Sequence, residues 1–192
     1  MAIFLAHYHQ CNFEVDTDRL RSLDWQPHPA LMNAIYLSAC YFSQSPWFAG
    51  LENHFYVQTL TAINTGLEHA DRLVDIASAS CLVAVYQYAN GRISEGYRHS
   101  FAAARLAIDL GLHQIPGIES PSRDSAIPPL GDSKDITDRI NVFWQVYGVD
   151  RAWSVANELP TALPSDHPSG MLKIETQLPP PSVLGVSTIL FQ

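Results

Sequence analysis

Charge is scarce in this 192-residue chain. Only 16% of its residues are Asp, Glu, Lys or Arg, against roughly 25% in an ordinary soluble protein. Eleven basic residues face nineteen acidic ones, leaving a net charge of -8, and Lys and Arg nowhere form a run of three. A surface for nucleic acid is therefore not expected in these residues, because neutralised phosphates supply most of the affinity for such ligands. Cysteine is equally sparse: Cys11, Cys40 and Cys81 are odd in number and far apart. That pattern suits reduced thiols in an intracellular compartment, and neither a disulfide framework nor a structural zinc site. No apolar run reaches the 18 or so residues a bilayer crossing needs. The short apolar start, Met1 to Ala6, lacks a basic flank and runs into His7-Tyr8-His9, so it does not read as a signal peptide. The sequence also lacks a Gly-x-Ser-x-Gly elbow, a phosphate-cradling glycine loop and a Gly-x-Gly-x-x-Gly turn, which leaves an enzyme reading without a motif.

Proline is missing where it matters most. Its 13 copies sit at Pro27, Pro29 and Pro46, between Pro116 and Pro129, and from Pro160 onward. Because proline breaks helix interiors, the windows 47–115 and 130–159 are open to long helices. Apolar residues recur there at helical spacing: Tyr56, Leu60, Ile63, Leu67; then Ile76, Ala79, Val83, Tyr86; then Tyr97, Phe101, Ala104, Ile108. Asp71 is placed to cap a helix opening at Leu73, and Asn90-Gly91 to end it with left-handed residues. Gly111 with Leu112 reads as a second helix stop. Small residues on every face of Ala77-Ser78-Ala79-Ser80 predict a central helix.

Pro29 opens a further helix through Leu31, Ile35 and Phe42, ended by Pro46, and a shorter one is expected over about 17–24. Residues 114–134, rich in Pro, Ser, Gly and Asp, read as a long polar loop, and loops beyond about 12–15 residues are usually functional or disordered. Ile136, Ile140, Phe143, Trp144 and Tyr147 then build a last helix with an aromatic face, and from Leu159 the chain is irregular. With no convincing strand pair, the expected fold is all-α, a multi-helix bundle of antiparallel hairpins.

Candidate chemistry is thin. His7, His9 and Cys11 are metal ligands by type, but only positions four apart share a helix face and no second cluster completes a tetrahedral site. Glu95 and His99 are four apart, yet a di-metal bundle needs that motif twice. Asp150-Arg151, at the end of the apolar segment Ile140–Val155, reads as a structural ion pair with bonds to nearby backbone. Tyr86, Phe143 and Tyr147 are the residues that would line a ligand pocket between helices.

Three segments together resemble the regulatory, or middle homology, domain of fungal zinc binuclear cluster transcription factors. The first is His28-Pro29-Ala30-Leu31. The second runs from Asp71-Arg72-Leu73-Val74-Asp75 through Asn90-Gly91-Arg92-Ile93-Ser94-Glu95-Gly96 and Ala102-Ala103-Ala104-Arg105 to Leu110-Gly111-Leu112-His113. The third is Arg139, Phe143-Trp144, Asp150-Arg151, Ser154 and Leu159-Pro160. The motif positions are thus Asp71, Arg72, Gly91, Gly96, Gly111, Arg139, Trp144, Asp150, Arg151 and Pro160. Asn157-Glu158 precedes that proline, and Asn157 suits the left-handed turn expected there.

The resemblance covers residues 1–180, with 181–192 as a truncated tail, and implies a fragment of a domain that continues with more helices. It implies a nuclear, non-enzymatic regulator of RNA polymerase II transcription. The implied partners are the transcription machinery or regulatory proteins, a small-molecule effector, and a second copy as a homodimer, with no membrane. DNA and zinc would be held by an N-terminal six-cysteine module that these residues lack, so no cofactor is expected in this chain. A tetratricopeptide-like interaction scaffold is the rival reading, since the helix pair around Gly91 and Gly96 resembles such a hairpin. It needs a second copy about 34 residues away, and none is found.

Overall fold

The computed structural model describes residues 1–14, 25–115, 133–163 and 173–179. The helix expected over 17–24 and nearly all of the loop expected over 114–134 lie outside the described residues. Among the described residues the fold is all-α, with six helices and no strand: α1 (Ala2–His7), α2 (Pro29–Ser43), α3 (Pro46–Glu68), α4 (Leu73–Ala89), α5 (Ile93–Asp109) and α6 (Ser133–Ala156). Short 3-10 turns follow α1, at Tyr8–Cys11, and α5, at Leu112–Gln114. No described helix is long and apolar enough to cross a membrane.

Helix boundaries follow local chemistry. Pro29 and Pro46 each stand in the first turn of a helix, where a missing N–H costs nothing and the fixed φ suits the helix. Pro46 therefore opens α3, while α2 stops at Gln44 in a left-handed turn, φ 48°. The α4–α5 turn ends on Gly91 at φ +72°, with Arg92 N–H returning to the Gln87 carbonyl at 2.9 Å. Asn90, expected to be left-handed, is at φ -90°. A glycine immediately downstream meets that need without the steric cost asparagine would incur.

α4 is the axis of the molecule. Every residue from Ile76 to Val85 is buried, as required of a helix covered on all sides, and it packs against α2, α3, α5 and α6. Small side chains let the neighbours come close. On α5 the buried positions are Gly96, Ser100, Ala103, Ala104 and Ala107, a small-residue face laid against α4. A Cβ at Gly96 would come within 2.6 Å of the Tyr88 ring, and that ring stacks on Trp153 of α6, centroids 4.7 Å apart. Glycine at 96 thus sets the α4–α5 spacing and, through Tyr88, the position of α6.

One contact had no periodicity to announce it. Residues 173–179 run extended across the Leu112–Gln114 turn and α6. Glu175 N–H donates to the His113 carbonyl at 2.8 Å. The buried Thr176 hydroxyl donates to the Leu112 carbonyl at 2.6 Å and accepts from Ile115 N–H at 3.0 Å. Trp144 Nε1–H donates to the Gln177 carbonyl at 2.7 Å.

Candidate functional site

The motif positions fall into three junctions and a cavity. At the first junction, the start of α2 meets the α3–α4 turn. His28 caps α2, its Nδ1 accepting from Ala30 N–H at 3.1 Å, and its own backbone N–H donates to the Asp75 carboxylate at 2.7 Å. With Nδ1 an acceptor, the ring proton sits on Nε2, 3.6 Å from Asp71 Oδ2. Asp71 does not cap α4: no side chain caps that helix. Its carboxylate instead takes both Nε–H and an Nη–H of Arg72, at 3.1 and 3.0 Å, a two-pronged geometry that suits guanidinium better than a single N–H. This bonding holds the Asp71 carboxyl below its usual range. Arg72 also donates to the Gln26 carbonyl at 3.0 Å, and these anchors hold it at a left-handed φ of 42°.

Burial, followed by the Arg72 charge, lowers the His28 pKa below its ordinary 6.5. As pH falls, the unfolded chain then takes up this proton before the folded one does. The neutral ring contributes stability that is complete above about 6.5 and is lost as pH drops through the folded value. His99 and His113 are shifted in the same direction by burial, so a comparison with a variant isolates His28. Between pH 7.5 and 5.5 the melting temperature of the native chain should drop further than that of His28→Gln, measured by circular dichroism. Equal drops would remove His28 from the pH dependence.

The second junction closes α6. Asp150, 1% exposed, accepts from the N–H groups of Ala162 at 2.7 Å and Leu163 at 3.1 Å. Burial raises its pKa against the pull of those bonds. The expected Asp150–Arg151 ion pair is not formed. Consecutive helix positions point about 100° apart, and Arg151 lies over the Tyr147 ring, 5.0 Å from its centroid, donating to the Leu163 carbonyl at 3.2 Å. Both side chains still bind the returning segment, Asp150 through its donors and Arg151 through its acceptor. The left-handed residue of this turn is Glu158, φ 55°, and not Asn157, whose amide donates to the Trp153 carbonyl at 2.9 Å. Pro160 is exposed and its carbonyl accepts from Ser154 at 3.4 Å.

The third junction is the end of α5. Gly111 takes φ +68°, Leu112 beyond it is fully buried, and the 173–179 segment crosses here onto Trp144. Arg139, further up α6, makes a half-exposed pair with Asp135 at 3.1 Å.

The cavity, about 210 Å³, opens where the N-terminal turn, α2, α4 and the end of α6 converge. It is lined by Ser38, Tyr41 and Phe42 of α2, Val85, Tyr86 and Ala89 of α4, Trp153 of α6, and Gln10 and Cys11 of the N-terminal turn. Of the three residues read from sequence as a pocket, Tyr86 stands in this wall. Phe143 is fully buried in the core and Tyr147 lies under Arg151, so neither borders it. Tyr86 donates to Glu52 of α3 at 3.1 Å, and burial followed by the Glu52 charge pushes its pKa up to about 12. Burial pushes the Cys11 thiol up to about 12 as well, which keeps it protonated and unreactive at neutral pH. Among the described residues, no group of three or more His, Cys, Asp or Glu side chains could hold a metal ion.

Fold and site together define an all-α module whose polar residues tie helix ends together and whose cavity beside α2, α4 and α6 is small, aromatic-lined and uncharged. The chain belongs to the fungal-specific transcription factor domain family, whose model matches residues 3–172. No curated protein and no solved structure matches it. The chain is thus a transcription-regulating domain.

Proposed function

We propose that these residues are the non-enzymatic regulatory part of a zinc-cluster factor that acts in the nucleus on genes read by RNA polymerase II. DNA and zinc are held by a module outside these 192 residues, and the partners of this part are proteins of the transcription apparatus. The observation that carries the reading is the family match over residues 3–172, and the state of the cysteines fits it. Cys11, Cys40 and Cys81 are all buried, and burial raises the pKa of each thiol, the reverse of what a zinc ligand needs, since metal binds the thiolate. The use of motif residues to tie helix ends together fits the same role.

Fused to an unrelated DNA-binding module in a fungal host, the chain should change transcription of a reporter carrying that module's site. The DNA-binding module alone should leave it unchanged. A fusion that is expressed, nuclear and bound at the site without altering transcription would contradict the reading.

A further inference from the structure

We propose that the cavity between the N-terminal turn, α2, α4 and α6 binds an uncharged, single-ring aromatic molecule carrying one hydroxyl, of the phenol class. Size comes first. A cavity of about 150 Å³ accommodates benzene, so about 210 Å³ leaves room for a ring with one or two small substituents and is too small to enclose a nucleotide or a peptide. Wall chemistry comes second. Tyr41, Phe42, Tyr86 and Trp153 offer aromatic faces and edges, and no Lys, Arg, His, Asp or Glu lines the space. A charged ligand would lose its hydration with nothing to offset the loss. An anion is disfavoured further by the Glu52 carboxylate just behind Tyr86.

The hydroxyl of Tyr41 supplies the polar contact. Its bond to the Ala89 carbonyl measures 3.5 Å, far longer than the 2.7–2.8 Å or so of a good O–H···O bond. Trading it for a ligand oxygen at normal distance is a gain. Of the other polar wall groups, Ser38 is committed to the Ala34 carbonyl at 2.9 Å, Tyr86 donates to Glu52 and the Gln10 amide nitrogen meets His7 Nδ1 at 3.0 Å, so Tyr41 is the wall hydroxyl most readily given to a ligand hydroxyl. Because Gln10 and Cys11 border the space, an occupant would pin the N-terminal turn against α2 and α4. Its consequence for transcription rests on the regulatory reading above; binding itself does not.

The test is isothermal titration of the full chain with p-cresol and, separately, with benzoate, alongside melting curves at the same concentrations. Saturable binding of p-cresol with a raised melting temperature is expected, with affinity for benzoate lower by about tenfold or more. Ala89→Leu, which adds bulk at the cavity's exposed edge from the end of α4, should keep the cooperative melt and lose p-cresol binding. Ser38→Leu fills the same space from α2 and serves if the first variant does not fold. The wild-type contrast between p-cresol and benzoate needs no variant. No p-cresol binding, equal binding of benzoate, or undiminished binding in a folded filled variant would each overturn the proposal. None of these results would alter the reporter outcome, which separates failure of this site from failure of the regulatory role.

Discussion

Asp150→Ala should destabilise the chain by about 3–5 kcal/mol, since it leaves the part-buried N–H of Ala162 and the buried N–H of Leu163 without an acceptor. Removing an unfavourably buried charge returns part of this, which is why the loss is not the sum of two full penalties. Asp150→Asn keeps one carbonyl oxygen and should fall between. The control is Asp109→Ala: its pair with Arg105 is exposed on both sides at 3.6 Å, and such pairs contribute about 0–1 kcal/mol. Urea denaturation gives all three. An Asp150→Ala variant as stable as Asp109→Ala would mean that the carboxylate does not hold the segment after α6.

Two glycine-to-alanine changes should act in opposite directions. At Gly96 the new methyl would lie 2.6–2.8 Å from three atoms of the Tyr88 ring. That ring is stacked on Trp153, so it cannot swing away without disturbing α6. Overpacking of this kind costs about 1–3 kcal/mol, and Gly96→Val should cost more. At Gly50, inside α3, nothing lies within 4 Å of the added Cβ, and alanine should stabilise by about 0.5–1 kcal/mol through the lost backbone freedom of glycine. Thermal and urea unfolding should place the two variants on either side of the native chain. The same sign for both would show that α4 and α5 are not packed as tightly as described.

These positions also mark what could be read in the residues beforehand. Helix content followed from proline placement and apolar spacing, because both act locally. The central place of α4 followed from Ala77 to Ser80, because a helix without bulk on any face can be covered on every face. Gly91 and Gly111 announced their turns, because few other residues take positive φ cheaply. Side-chain partners were harder. Asp71 in isolation is a good cap, but beside Arg72 the carboxylate had a two-pronged donor to satisfy instead. Asn157 was the better left-handed residue by type, yet the chain path put that conformation at Glu158.

Least legible were features assembled from distant segments. The 173–179 strap is short and extended, with no helical period, and nothing before it marks Thr176 as the residue that seats in the Leu112 turn. The cavity draws its walls from four segments between Gln10 and Trp153. Sequence offered Tyr86 and the aromatic stripe of α6, and the inward side of that stripe, Phe143, went to the core. Tyr86 reached the cavity because it lies on the one face of α4 left partly open.

The central claim is that these residues regulate transcription without touching DNA. Among the described residues Arg72, Arg105, Arg139 and Lys173 each lie beside a carboxylate, and the chain as a whole carries a net charge of -8. Titrating the purified, zinc-assayed chain with labelled duplex DNA across a salt series, starting at low ionic strength where electrostatic binding is strongest, is the most direct measurement. The account predicts no stoichiometric zinc and no saturable binding at any salt. Tight binding that weakens steeply as salt rises would contradict it.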